Sequence, residues 1–263
     1  MFKIGSETKT VVREHIKPRL TQLLQSANDL ILDITRQYRA IGKTPLLIIE
    51  DLDKLDLAVA ETLFLKRKNI LTAFHIHMIY TFPIFLHYSG KFSEIEAAFD
   101  HYELLSMIKV REKSGKPFET GRETIRKILE RRAELSLFAP DALEFVIEKC
   151  GGSLRHLFEI LQNAVLDQRM RDQNATVLEK AAVENGFRKL RSYFERTITG
   201  EDLDTLKAVH HSADKKPTAE MNLKNMLNAM AVIEYNGDRW CAIHRAVEEM
   251  LRDKGELDVF VAE

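Results

Sequence analysis

Four aliphatic residues, Leu46-Leu47-Ile48-Ile49, run into the acidic pair Glu50-Asp51 and then Leu52-Asp53. A short, near-continuous aliphatic run is the pattern of a parallel strand buried on both faces. Carboxylates at its end fall at the carboxyl edge of a sheet, where open α/β folds bind ligands. Neighbouring strand residues point to opposite faces, so Glu50 and Asp51 can divide two tasks there.

The flanking segments fit a crossover α/β unit. From Pro18 to about Ala40, Leu20, Leu23, Leu24, Ala27, Leu30, Ile31, Ile34 and Tyr38 recur every three or four residues, which predicts one long amphipathic helix with Pro18 in its first turn. Asp56 is the N-cap expected for a helix over about Leu57 to Asn69. A second strand is predicted over Phe74 to Phe82, stopped by Pro83, and a weaker third within Tyr102 to Val110.

A phosphate loop of the form G-x-x-x-x-G-K-[ST] is absent from this sequence. Gly42-Lys43-Thr44 reads like its last three letters, but Gln37 stands where the first glycine belongs. The tripeptide also follows a helix and precedes a strand, whereas a phosphate cradle needs strand, loop and helix in that order. Gly42 is therefore read as a helix C-cap, with Pro45 preventing continuation.

Beyond the turn-rich Lys113 to Pro117 the pattern turns helical. Thr120 with Glu123, and Thr176 with Glu179, have capping-box spacing and predict helices to about Leu135 and about Arg196. Pro140-Asp141 opens a helix to Cys150, and Ser153 caps another to about Met170. After residue 200, helices over Glu201 to His211 and Ala219 to Met230 precede Val232 to Ile243, where Asn236-Gly237 between two strand-like runs predicts a hairpin. A last helix is expected over about Ala246 to Lys254. The fold class read from this order is α/β and predominantly helical, with a partial α/β core over 1–112, a four-helix lid over 113–200 and a winged helix over 201–263.

Composition excludes several classes. At 263 residues, 45% hydrophobic and 30% charged, the chain is long enough for two or three packed units and is not disordered. No apolar run approaches the ~20 residues that span a bilayer, and no signal core lies in residues 1–30, so a cytoplasmic protein without membrane contact is expected. Cys150 and Cys241 form no C-x-x-C pair and give no zinc framework. His75 and His77 share a strand face at a spacing zinc can use, but no third ligand is identifiable, and His210-His211 are weaker still. Ser89-Gly90 lacks a nucleophile-elbow surround, and neither cysteine has an adjacent histidine.

Two further residues suit phosphate chemistry. Thr81, at the end of the second strand, can contact a γ-phosphate or its attacking water. Arg155, on the first turn after Gly151-Gly152-Ser153, can reach a nucleotide beneath a helical lid.

In order, these segments resemble the AAA+ and STAND-type P-loop ATPases. Leu46-Leu-Ile-Ile-Glu50-Asp51 is similar to their Walker B strand, Met78-Ile-Tyr-Thr81-Phe-Pro to sensor 1, and Gly151-Gly-Ser-Leu-Arg155-His-Leu to the sensor 2 helix of the origin-recognition-like branch. Leu227 to Ile243 resembles the winged helix that commonly follows, and the match covers nearly all the chain from about Pro18. The resemblance implies an incomplete P-loop NTPase-like sheet, Glu50 holding Mg²⁺ through water, Asp51 and Thr81 in catalytic roles, and Arg155 on the nucleotide. The family's cofactor is Mg-ATP.

Three departures bear on function. Glu50 stands where Asp is usual, the Walker A loop and its strand are missing, and no arginine finger is assigned, Arg131 and Arg132 being candidates by composition alone. In this family the missing strand lies mid-sheet, so Phe2-Lys3-Ile4, a re-pairing of the remaining strands or another copy is expected to cover the gap. The chain reads as the C-terminal part of a regulatory ATPase that binds no Mg-ATP productively by itself and acts through a protein partner or self-association. The alternative is a non-catalytic protein-interaction or DNA-binding module on the same scaffold. DNA is not favoured: residues 201–263 hold eight Lys and Arg against thirteen Asp and Glu, a net charge of −5, and the expected recognition helix offers only Lys224. Arg239 and Trp240 beside the turn are its one encouragement.

Overall fold

A computed structural model describes residues 6–212, 222–235 and 240–257, with side chains from residue 19 onward. The chain divides into two compact units, Met1–Tyr102 and Glu103–Glu263. Helices dominate, and the described strands form a two-stranded parallel sheet in the first unit and an antiparallel pair in the second.

The first unit opens with helix α1 (Ser6–Ala40). Leu20, Leu24, Ala27, Ile31 and Thr35 are half-buried, while Leu23, Leu30, Ile34 and Tyr38 are exposed. The expected apolar stripe thus splits into an inward face and a solvent face. Gly42 ends the helix at φ 71°, its N–H donating to Arg39 O and the Lys43 N–H to Tyr38 O. This is a Schellman cap, and it gives Gly42-Lys43-Thr44 its structural role.

Strands β1 (Leu46–Ile49) and β2 (His77–Tyr80) pair in parallel, with Leu46 opposite His77 and Ile48 opposite Ile79. These four share one face, and Leu46, Ile48 and Ile79 are 52%, 51% and 49% exposed, so the strand is not buried on both sides as its composition suggests. The opposite face is only half-covered, with Met78 and Tyr80 turned inward. Near-continuous apolar character reflects burial only where layers cover both faces, and this sheet has two short strands to attract them. Among the described residues no third strand joins either edge. Phe2-Lys3-Ile4 lies outside them, and Tyr102 to Val110 forms no strand.

Between the strands, Asp56 accepts from the Val59 N–H and caps α2 (Leu57–Glu61). The single helix expected to Asn69 is interrupted by a π-helical turn, Thr62–Lys66, before α3 (Lys68–Leu71). Phe64 in that turn is buried and packs against Phe82 and Phe99, with ring centroids 6.0 and 6.5 Å away. After β2, Phe85, Leu86 and, on α4 (Phe92–Glu96), Ile95 complete this core.

The second unit contains α5 (Glu119–Glu130), α6 (Pro140–Lys149), α7 (Leu154–Arg171), α8 (Lys180–Thr197), α9 (Gly200–His211), α10 (Leu223–Asn228), β3 (Val232–Tyr235), β4 (Trp240–Ile243) and α11 (Arg245–Asp253). Ser153 caps α7 by accepting from the His156 N–H. The two predicted capping boxes do not form: Phe118 and Glu179 occupy the N-cap positions without side-chain bonds, and Glu123 pairs with Arg126 instead. The box that does form, Thr199 with Asp202, opens α9. Helix α8 packs along α7, where a Cβ on Gly186 would lie 2.3 Å from Ile160 O. Ile160, Leu157, Leu190 and Phe194 fill that contact.

Strands β3 and β4 pair antiparallel, Tyr235 opposite Trp240. The predicted Asn236-Gly237 turn, Arg239, and the Ala219 to Met221 start of the predicted helix lie outside the described residues. Trp240 is buried with its ring 4.6 Å from that of Tyr235, a core residue rather than an exposed wing contact. Residues 107–111, expected in a first-unit sheet, cross the second unit instead, the Met107 N–H donating to Glu234 O and the Ile108 N–H to Gly152 O.

Candidate functional site

At the carboxyl end of β1 the chain leaves the sheet through a turn at Asp51, which adopts φ 67°, ψ 3°. Asp tolerates this left-handed conformation better than most residues because its short side chain bonds locally. Here the carboxylate meets Lys54 Nζ at 2.6 Å, on the 3-10 turn Leu52–Lys54. The turn is braced by Thr81, whose hydroxyl oxygen accepts from the Leu52 N–H at 3.1 Å, while the Thr81 N–H donates to Ile49 O at 3.1 Å. Glu50 faces solvent. The fold thus brings Glu50, Asp51 and Thr81 to one sheet edge in the first unit.

Arg155 belongs to the second unit, exposed on the first turn of α7, with Nη1 3.5 Å from Met230 Sδ. The glycines before it serve the backbone. Gly152 has φ +86°, and a Cβ there would lie 1.8 Å from Ile108 O. The Tyr235 hydroxyl donates to Gly151 O at 2.6 Å. Of the two arginine-finger candidates, Arg132 stacks over the Phe158 ring at 4.8 Å.

Two polar clusters in the second unit match no sequence motif. Arg111 Nη1 donates to Glu248 Oε2 at 2.6 Å and Nη2 to Ile243 O at 2.9 Å. Arg245 and Arg252 also reach the Glu248 carboxylate, at 3.2 and 2.6 Å. Burial opposes the charge on Glu248, but Arg111 and Arg245 outweigh it and pull the carboxyl down to about 2. The signal was a glutamate on the apolar face of α11, between Arg245 and Arg252 at helical spacing.

The second cluster is His156 Nδ1 against His244 Nε2, 3.0 Å apart and buried. His244 Nε2 also lies 3.2 Å from Cys150 O, and its Nδ1 accepts from the Ala246 N–H. Burial, aided by Arg155, lowers the His156 imidazole to about 4, and burial beside His156 lowers His244. Burial raises the Cys150 thiol to about 12, which removes it as a nucleophile. Among the described residues, no three His, Cys, Asp or Glu side chains converge as a metal site. None of the described helices is long and apolar enough to cross a membrane.

No protein-family model matches the chain, and no curated protein matches its sequence. Among solved structures, a variant of Thermotoga maritima RuvB is similar over 83% of this chain and 74% of that one, at 13% identity and a TM-score of 0.32. A likeness of that size assigns no family.

Proposed function

We propose that this chain is a regulatory module on an AAA+/STAND-like scaffold, with a winged helix formed by α9, α10, β3, β4 and α11, and that alone it neither binds nor hydrolyses ATP productively. The observation that carries the reading is the bond from the Leu52 N–H to the Thr81 hydroxyl. It holds Thr81 beside the acid edge, which supports the resemblance, while the hydroxyl itself is used to support the strand exit. Asp51 is engaged by Lys54, whereas Glu50 faces solvent. Mg²⁺ sites of this kind complete one or two carboxylates with the nucleotide's phosphates, and this sequence holds no phosphate loop to place those phosphates beside the acid edge.

The apolar face of Leu46, Ile48 and Ile79 supports contact with a protein partner or a second copy. Burial of Trp240 argues against a DNA-reading wing. Calorimetric titration with Mg-ATP tests the nucleotide claim, with no saturable heat expected; a micromolar Kd defeats it. Sedimentation of Leu46→Lys/Ile48→Lys tests the contact claim: weaker self-association or partner capture is expected, and unchanged association removes that face from the function.

A further inference from the structure

We propose that the cavity at the amino ends of β1 and β2 is a binding site for a small phosphate-bearing ligand. It is a cleft open to solvent of about 220 Å³, lined by Thr35 and Arg39 of α1, Thr44 and Pro45 before β1, and His75, Ile76 and His77 at the start of β2. This is the opposite end of the strands from Glu50 and Thr81, so the inference does not rest on the nucleotide reading; His77 also borders the apolar face of the sheet, and the variants that test phosphate binding are therefore at Thr35 and Arg39, which lie outside that face.

Pro45 and Ile76 form the apolar part of the lining, and the remaining side chains can all donate hydrogen bonds. Arg39 presents a planar guanidinium suited to oxyanions, and it makes no ion pair among the described residues. Two imidazoles and two hydroxyls accompany it, and among the described residues no carboxylate lines the cleft. The Thr35 hydroxyl is shielded from solvent and has no hydrogen-bond partner among the described residues. A shielded hydroxyl without a partner is costly, and a ligand oxygen accepting from it would relieve that cost.

The carboxyl end of a helix ordinarily repels anions through its free carbonyls. Here Tyr38 O and Arg39 O already accept from Lys43 and Gly42, which blunts that repulsion. The opposite wall is held in place by Asn28, whose side-chain amide donates to Ala73 O and accepts from the His75 N–H, both at 2.9 Å. The volume is many times what a single water needs on the same measure, room enough for a phosphate group.

The test is a titration of the full chain with inorganic phosphate, followed by amide NMR shifts against sodium chloride at matched ionic strength. Saturable shifts at residues 35–45 and 75–77 are expected, absent in chloride. Thr35→Val and Arg39→Gln should each weaken half-saturation at least fivefold while leaving the melting temperature unchanged or, for Thr35→Val, raised. Lack of saturation, equal shifts in chloride, or wild-type affinity in both variants overturns the proposal. Saturation by zinc chloride alone, abolished in His75→Ala and accompanied by no phosphate response, overturns it in favour of a metal.

Discussion

His244 donates from Nε2 toward His156 Nδ1 and Cys150 O because its own Nδ1 is taken up accepting the Ala246 N–H. That assignment fixes both rings as neutral, with the proton of each on Nε2. A proton added to His156 Nδ1 would face the His244 N–H, and one added to His244 Nδ1 would face the Ala246 N–H.

The native chain should therefore lose stability in mild acid. His156 falls to about 4 in the folded state from an ordinary 6.5, so the folded protein binds fewer protons than the unfolded one between those values. Its contribution is complete above about pH 6.5 and is lost as pH falls toward 4, up to ~3 kcal/mol. Urea denaturation at pH 7.5, 6 and 5 measures it. A flat profile refutes the neutral pair, and His156→Leu should flatten the slope.

Removing one partner of the Arg111–Glu248 pair strands the other. Glu248→Gln should cost about 3 kcal/mol by leaving three guanidiniums around an uncharged amide. Replacing Glu248 with Gln and Arg111 with Met together should cost less than the sum of the two single changes, as read from a double-mutant denaturation cycle. The Glu248 titration itself appears only in strong acid, where stability falls as pH drops from 4.5 toward about 2.

At the strand exit, Thr81→Val removes the acceptor for the Leu52 N–H at nearly constant volume. A loss of about 1 kcal/mol is expected, with several-fold faster hydrogen exchange at Leu52. Thr81→Ser should restore protection. Unchanged exchange in the valine variant would mean the hydroxyl is no brace.

Gly152→Ala places a methyl 1.8 Å from Ile108 O at φ +86°. Roughly 2 kcal/mol or more should be lost, read as a lower melting temperature. Gly42→Ala, at φ +71° with open space around it, should cost only the left-handed backbone penalty, on the order of 1 kcal/mol.

Much of this was readable where a residue acts locally. Gly42 announced a cap because positive φ suits glycine, and Asp56 and Ser153 announced caps because their oxygens reach the next turn. The relation of Thr81 to the acid edge was readable because parallel strands bring their carboxyl ends together. What failed depended on distant partners. Leu46 and Ile48 looked buried because composition records apolarity but not whether another layer covers it. Thr120 and Thr176 matched a capping pattern, yet helix entry was decided by the chain before it, at Phe118 and Glu179. Arg111 was unreadable because Glu248 lies 137 positions away.

The crossing at Ile108 also bears on how this chain tolerates drift. Residue 108 offers Gly152 only its amide and carbonyl, and those groups are the same whatever the residue's identity. Position 108 should accept many exchanges as far as that contact is concerned, while position 152 admits almost none. One contact thus leaves substitution open on one side of the crossing and closed on the other.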